Sequence, residues 1–133
     1  MPLTQRLLVV SGSRDYPDQG QVEALLAFDL NRGDVLMHGA ARGVDTWADS
    51  VGRELGCRVE PVPVDHALDG PWPAAGIRRN HRMLDRAAKA QRLGWRVDVT
   101  CFWDGNSSGT RDAMQYAERL GLQPVIWTPN GKL

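Results

Sequence analysis

The sequence predicts an α/β domain in which helices cover both faces of a five-stranded parallel sheet. Apolar runs typical of strands alternate with segments whose apolar residues recur at helical spacing. The strand segments are continuously apolar, which is typical of strands buried on both faces. Gly56, Gly94 and Gly121 each follow a helical segment, where glycine most easily forms a left-handed helix end. The expected architecture is a three-layer α/β/α sandwich formed by a single domain, residues 1–133.

The predicted elements alternate strictly along the chain. The strands cover residues 6–10, 34–37, 58–62, 97–102 and 123–127, and the helices cover 19–30, 44–55, 75–93 and 109–120. Right-handed crossovers then favour the strand order 3-2-1-4-5. This order brings the loops after strands one and four together at the carboxyl edge of the sheet, where such folds bind ligands. The core is expected within residues 6–127, with 130–133 as a loose tail.

Composition excludes several classes of protein. The 16 basic and 16 acidic residues cancel, which argues against an extended electrostatic surface for nucleic acid. Cys57 and Cys101 are expected to be buried thiols in a reducing compartment, and His38, His66 and His81 lack metal-ligand spacing. No cofactor is expected. The N-terminus lacks a signal-peptide pattern and no apolar run could span a membrane, so we expect a cytoplasmic protein.

Two loops rich in glycine and small residues open helices at the carboxyl edge of the predicted sheet. Asn106-Ser-Ser-Gly-Thr-Arg-Asp112 follows strand four, and His38-Gly-Ala-Ala-Arg-Gly-Val-Asp45 follows strand two. The free N–H groups and the positive dipole end of a helix make such a loop a site for anions. Two loops of this kind predict a ligand that carries phosphate.

The expected ligand-binding residues all lie at this edge. They are Gly12, Ser13, Arg14, His38, Gly39, Ala40, Arg42, Gly43, Asp45, Arg79, Asn80, Asn106, Ser107, Ser108, Gly109 and Thr110. The arginines suit phosphate because guanidinium binds it bidentately, although they also suit surface ion pairs. The glycines also suit turns, and the hydroxyl groups also suit helix caps.

The sequence leaves the roles of three residues open. Asp45 either binds a ribose hydroxyl or fixes its own loop, and Asp104 ends strand four where acid–base chemistry or ribose binding is possible. Trp72 lies in the long segment 65–76, which is expected to act as a lid or pocket wall. Its indole ring suits stacking on a base.

Four ordered motifs resemble a known family. Gly12-Ser-Arg14, the segments 38–45 and 106–112, and Ala75-Gly-Ile-Arg-Arg-Asn-His-Arg-Met83 resemble the small YspA/cpYpsA-related branch of the SLOG superfamily. That superfamily is named after Smf/DprA and the LOG hydrolases, and this type occurs in phages and bacteria. The resemblance spans residues 6–127. It implies a Rossmann-like nucleotide-binding fold, a homo-oligomer and, for a phage-encoded protein, the host cytoplasm.

The resemblance to the LOG hydrolases is incomplete at their catalytic residues. These enzymes release the base from nucleoside 5′-monophosphates and carry a Pro-Gly-Gly-x-Gly-Thr-x-x-Glu loop and an Arg-Lys pair. The glutamate position falls on Ala113 and the basic pair falls on Arg79 and Asn80. Asp112 precedes Ala113 and points about 100° away on an ideal helix. Catalysis would therefore combine Arg79 with Asp104 or Asp112.

The leading expectation is a protein that binds a nucleotide or nucleotide-derived molecule in order to sense, sequester or carry it. The alternative is a LOG-like phosphoribohydrolase acting on nucleoside monophosphates. A less favoured reading is DprA-like binding of single-stranded nucleic acid, which requires a basic groove with stacking aromatic residues. Met83, Leu84 and Ala87 suit either an oligomer interface or the core.

Overall fold

The computed structural model describes residues 5–133, which form six strands and five helices. The strands are β1 (Arg6–Gly12), β2 (Val35–His38), β3 (Arg58–Pro61), β4 (Arg96–Phe102), β5 (Val125–Thr128) and β6 (Gly131–Lys132). The helices are α1 (Gln19–Asp29), α2 (Val44–Glu54), α3 (His66–Asp69), α4 (Ala75–Arg92) and α5 (Ser108–Arg119). None of these helices has the length and apolar composition needed to cross a membrane.

The strands form one mixed sheet in the order β3-β2-β1-β4-β5-β6. The order of the first five strands and their parallel pairing are as the sequence predicts. The predictions of five strands and a loose tail at 130–133 are wrong. The chain reverses after Thr128, and β6 pairs antiparallel with β5, with Lys132 opposite Trp127. The backbone N–H of Leu133 also donates to the carbonyl of Ile126 at 2.9 Å, so the last residues close the edge of the sheet.

β1 is the centre of the fold because it pairs with both β2 and β4. Successive side chains of a strand point to opposite faces of its sheet. Leu7 and Val9 therefore join the core beneath α4 and α5, whereas Leu8 and Val10 join the core beneath α1 and α2. Helices cover both faces, and the result is three layers.

The core includes residues of α4 whose position the sequence left open, and both cysteines. Met83, Leu84 and Ala87 are buried against the sheet, so these side chains belong to the core and are not free to form an interface. Cys57 and Cys101 are buried free thiols, as expected.

The ends of the elements follow local backbone chemistry. Gly56, Gly94 and Gly121 have φ angles of 78°, 100° and 79°, which confirms the left-handed helix ends. β5 begins two residues later than predicted because Gln123 has a φ of 48° and the following Pro124 has no N–H to donate.

Gly12 ends β1 directly against α2. A Cβ added there would lie 2.5 Å from Cβ of Val44, which is fully buried. We expect Gly12→Ala to lower the free energy of unfolding by about 2 kcal/mol through overpacking, as measured by urea denaturation. Gly20→Ala is the matched control, because its new Cβ would have only one neighbour, at 3.6 Å, on an exposed part of α1. A Gly12→Ala variant as stable as the Gly20→Ala variant would contradict this packing.

Candidate functional site

A cleft of about 650 Å³ lies at the carboxyl edge of the sheet, where β1 and β4 end and α2, α4 and α5 begin. The residues predicted from sequence that line it are Gly12, Arg14, Asp45, Trp72, Arg79, Asn80, Asp104, Asn106, Ser107, Ser108, Gly109 and Thr110. A smaller pocket of about 220 Å³ shares Arg14, Trp72 and Arg79 with it and adds Ala40 and Arg42. The reversal of strand order between β1 and β4 thus brings the predicted loops together.

The start of α5 forms one wall of the cleft. Ser107 is the N-cap residue, and its Oγ accepts the N–H of Thr110 at 3.3 Å. The N–H groups at Ser108 and Gly109 have no preceding helical turn to bond, so they have no partner within the helix. A Cβ added to Gly109 would meet no protein atom within 4 Å, which leaves room for a ligand to approach the backbone.

Asp104 organises the loop that leads into α5. Its Oδ1 accepts the backbone N–H groups of Asn106 at 2.9 Å and Ser107 at 2.8 Å. Desolvation raises the pKa of Asp104, but these hydrogen bonds outweigh it and the net effect is a pKa below the ordinary value. Asp104 is therefore an ionised carboxylate with one oxygen committed to the turn.

Ser13 lies beneath the cleft and ties its two sides together. It is almost fully buried; its N–H donates to the carbonyl of Phe102 at 3.0 Å and its Oγ lies 3.3 Å from Oγ1 of Thr110. The N–H of Asp104 donates to the same Oγ at 3.2 Å. Ser13 therefore fixes the end of β1 against the start of α5 and does not line the cleft.

Arg79 projects from the first turns of α4 into a buried position. Its Nη1 donates to the carbonyl of Gly39, and its Nε donates to Oδ1 of Asn80 at 2.9 Å. A Cβ at Gly39 would lie 2.8 Å from Cζ of Arg79, so this close packing explains the glycine. Burial lowers the pKa of Arg79, while the nearby Asp45 opposes that shift. The guanidinium is a cation built into the floor of the cleft.

His38 and Gly43 shape the second loop from below. The Nδ1 of His38 accepts the N–H of Ala40 at 2.9 Å, so the proton lies on Nε2, which donates to Asp49 at 2.7 Å. Gly43 has a φ of 79°, and a Cβ there would lie 2.5 Å from the carbonyl oxygen of Arg14. His38, Gly39 and Gly43 support the cleft without lining it.

Asp45 begins α2 and is 5% exposed. Its Oδ2 accepts the N–H of Ala41 at 3.1 Å, which fixes the loop. Its Oδ1 is buried and has no hydrogen-bond partner among residues 5–133. Burial raises the pKa of Asp45, and the backbone N–H of Ala41, the nearby His38 and Arg79 side chains and the backbone of Gly39 oppose that shift.

Groups of both charges line the cleft, and the carboxylates of Asp15, Asp45 and Asp104 lie beside its cationic groups. The first turns of α4 and α5 contain no acidic residue of their own, which leaves the positive ends of the two helix dipoles at this edge. Arg14 and Arg79 line the cleft and add full positive charges. Asp15 and Arg42 form a 3.0 Å ion pair on the exposed surface, so Arg42 has an acidic partner of its own.

The segment 65–76 forms one wall, with Trp72 exposed above the cleft and 5.9 Å from the guanidinium carbon of Arg14. Its base is held by α3, whose buried Asp69 accepts two hydrogen bonds from Arg82 of α4, at 3.0 and 2.9 Å. Asp69 also accepts the N–H of Asp65 at 2.8 Å. The wall is therefore attached to α4 by a buried ion pair.

Asp112 and Ala113 lie away from the cleft. Asp112 bonds to His81 of α4 at 2.6 Å and is not among the lining residues. Ala113 is buried in the core beneath α5. No group of three potential metal-ligating side chains occurs among residues 5–133.

Some residues of the site were not singled out from the sequence. Ala41 lies in the predicted loop 38–45 and Pro73 and Gly76 lie in the predicted wall 65–76, whereas Ser11, Asp15 and Ile77 were missed. Gly76 and Ile77 belong to the first turn of α4. Because Arg79 was predicted to bind the ligand, the preceding residues of the same helix start could also have been predicted to line the cleft. The pairing of Asp69 with Arg82 had no signal, because it depends on how α3 folds back onto α4.

No protein-family model matches the sequence. The sequence is similar to the Gene 61 protein of Mycobacterium phage D29, with 35% identity over 129 aligned positions. The similarity covers 91% of this chain and 94% of the phage protein. It therefore extends over most of the domain and is not confined to a single loop.

The Asp69–Arg82 pair gives a prediction that depends on pH. The hydrogen bonds from Arg82 lower the pKa of Asp69 from 3.8 to about 2. The stabilisation is therefore complete above about pH 4 and is lost as the pH falls through about 2. We expect Asp69→Asn to lower the free energy of unfolding at pH 7 by about 2 kcal/mol, and we expect the two proteins to converge at low pH. Urea denaturation at several pH values measures this, and a difference that persists unchanged to pH 2 would contradict it.

Proposed function

We propose that this chain, which belongs to the family of the Gene 61 protein of Mycobacterium phage D29, binds a nucleotide or nucleotide-derived molecule in the cleft. The domain would act as a Rossmann-like binding module of the SLOG type that senses, sequesters or carries its ligand. The observation that carries the proposal is the meeting of two helix starts, each without an acidic residue in its first turn, with Arg14 and Arg79 in one cleft.

The phosphate group is proposed to lie at the start of α5. The backbone N–H groups of Ser108 and Gly109 have no partner within the helix, and the space around Gly109 leaves the approach open. Arg14 is exposed and able to reach a ligand, whereas Arg79 is held in place by Gly39 and Asn80. A buried, fixed guanidinium beside an exposed one is suited to phosphate, because guanidinium donors match its oxygen atoms.

The base is proposed to lie against Trp72 and Ile77. Both side chains line the same cleft, and Trp72 is 55% exposed above it. An indole face stacks favourably on a nucleobase, so this wall supplies apolar contact in the same cleft. The ion pair between Asp69 and Arg82 keeps that wall in position.

Binding without hydrolysis is favoured over the phosphoribohydrolase alternative. Asp104 already accepts two backbone N–H groups, and Asp112 is bonded to His81 outside the cleft lining. The position of the LOG glutamate is the buried Ala113. Of the two carboxylates predicted for catalysis, Asp112 therefore lies outside the cleft lining, and Asp104 lines the cleft with one of its oxygens held by the turn.

Thermal unfolding in the presence of ligands tests the proposal. We expect nucleoside 5′-monophosphates to raise the melting temperature and the matching nucleosides to have little effect, because the phosphate provides the main contact. Arg14→Ala should raise the dissociation constant about tenfold, because a charge-assisted hydrogen bond to the ligand is lost. Arg92→Ala is the matched control, because it also removes an exposed arginine. Arg92 lies in the last turn of α4, about 20 Å along the helix from Arg79 of the cleft.

Two results would contradict the proposal. One is that no nucleotide at millimolar concentration raises the melting temperature, and the other is that nucleosides without phosphate stabilise the protein equally. Chromatography of the same mixtures detects released base. We expect none, and release of base that depends on Asp104 would favour the hydrolase.

A further inference from the structure

We infer that Asp45 gives the cleft selectivity for ligands that carry free ribose hydroxyl groups, through the oxygen that the fold leaves unpaired. The inference rests on the proposed nucleotide binding, and it identifies the sugar class of the ligand. Asp45 lines the cleft together with Arg79, Gly12 and the start of α5.

The two carboxylate oxygens of Asp45 have different surroundings. Oδ2 accepts the N–H of Ala41 and thereby holds the loop that precedes α2. Oδ1 is buried and unpaired within residues 5–133. A buried oxygen without a hydrogen bond is destabilising, so such groups are rare in folded proteins and need a reason. One oxygen thus serves the fold, and the other has no hydrogen-bond partner within the described residues.

The other carboxylates of the cleft lack this combination of burial and an unpaired oxygen. Asp15 is exposed and paired with Arg42, and Asp104 accepts the N–H groups of its own turn. A metal ion is also a poor candidate for this oxygen, since no cluster of three potential ligands occurs among the described residues. A hydrogen-bond donor on the ligand is the remaining partner.

A sugar hydroxyl fits the position and chemistry of Oδ1. The sugar is bonded directly to the phosphate, so with phosphate at the start of α5 it must occupy the adjoining part of the cleft, which Asp45 lines. A hydroxyl group donates to an ionised carboxylate and accepts from a protonated one, so it satisfies Oδ1 in either state. Arg79 already places a positive charge near the Asp45 carboxylate. The ligand therefore does not need a cationic group to balance the charge of Asp45, and a neutral hydroxyl group is sufficient.

The test compares ribonucleotides with their 2′,3′-dideoxy counterparts. The probes are AMP, CMP, GMP and UMP and the four matching dideoxynucleotides, with dissociation constants measured by isothermal titration calorimetry. For the tightest pair we expect the wild type to prefer the ribonucleotide roughly 10- to 100-fold, because the dideoxy ligand leaves a buried charged acceptor unpaired.

Variants at Asp45 separate this role from its structural one. In Asp45→Ala the ratio of the dissociation constants for the dideoxynucleotide and the ribonucleotide should fall to nearly one. Asp45→Asn preserves an acceptor for the N–H of Ala41, and its ratio should lie between those of Asp45→Ala and the wild type. The ratio is the readout, since general loosening of the loop weakens both ligands alike. Glu118→Gln, an exposed change near the end of α5, should retain the wild-type ratio.

The outcomes distinguish the two proposals. Equal binding of both ligand types by the wild type, or a preference that persists in both Asp45 variants, would overturn the role of Asp45 and leave nucleotide binding intact. Absence of binding by all eight probes would overturn the proposed function and this inference together. A preference that is lost in Asp45→Ala and kept in Glu118→Gln would support both.

Discussion

The central pairing of β1 with β2 and β4 is the constraint on which the cleft depends. Because the strand order reverses there, the loops after β1 and β4 leave the sheet side by side without covering each other. Ser13 then fixes this junction, since its backbone bonds to Phe102 at the end of β4 and its hydroxyl lies against Thr110 of α5. The position of the first turn of α5, which includes Ser108 and Gly109, follows from that junction.

The cleft combines buried residues that hold its shape with exposed groups that remain open to a ligand. His38, Ser13 and Gly43 are committed to the protein backbone beneath it, whereas Arg14 and Trp72 stand above it. Asp45 belongs to both sets, because one oxygen supports the loop and the other is unpaired. This arrangement preorganises the site, which lowers the entropic cost of binding a small ligand.

Much of this arrangement was predictable from the sequence, since it depends on local chemistry. The continuous apolar strands and the glycines after helices indicated the layers and the order of five strands, and the two loops indicated the cleft. The pairing of β6 was missed because two residues carry no periodicity. The pairings of Asp69 with Arg82 and of Asp112 with His81 join segments distant in sequence, so no spacing rule reveals them. The unpaired oxygen of Asp45 likewise depends on tertiary burial.

The most direct test of the account is an NMR titration of the ¹⁵N-labelled protein with AMP, in which backbone amide shifts locate the ligand. Nucleotide binding at the carboxyl edge predicts the largest shifts at Ser108, Gly109 and Ala41, which border the cleft, and small shifts in the exposed residues of α1. Shifts concentrated on the outer face of α4, where Arg86, Lys89 and Arg92 line a separate groove, would contradict the account. The absence of any shift at millimolar AMP would also contradict it.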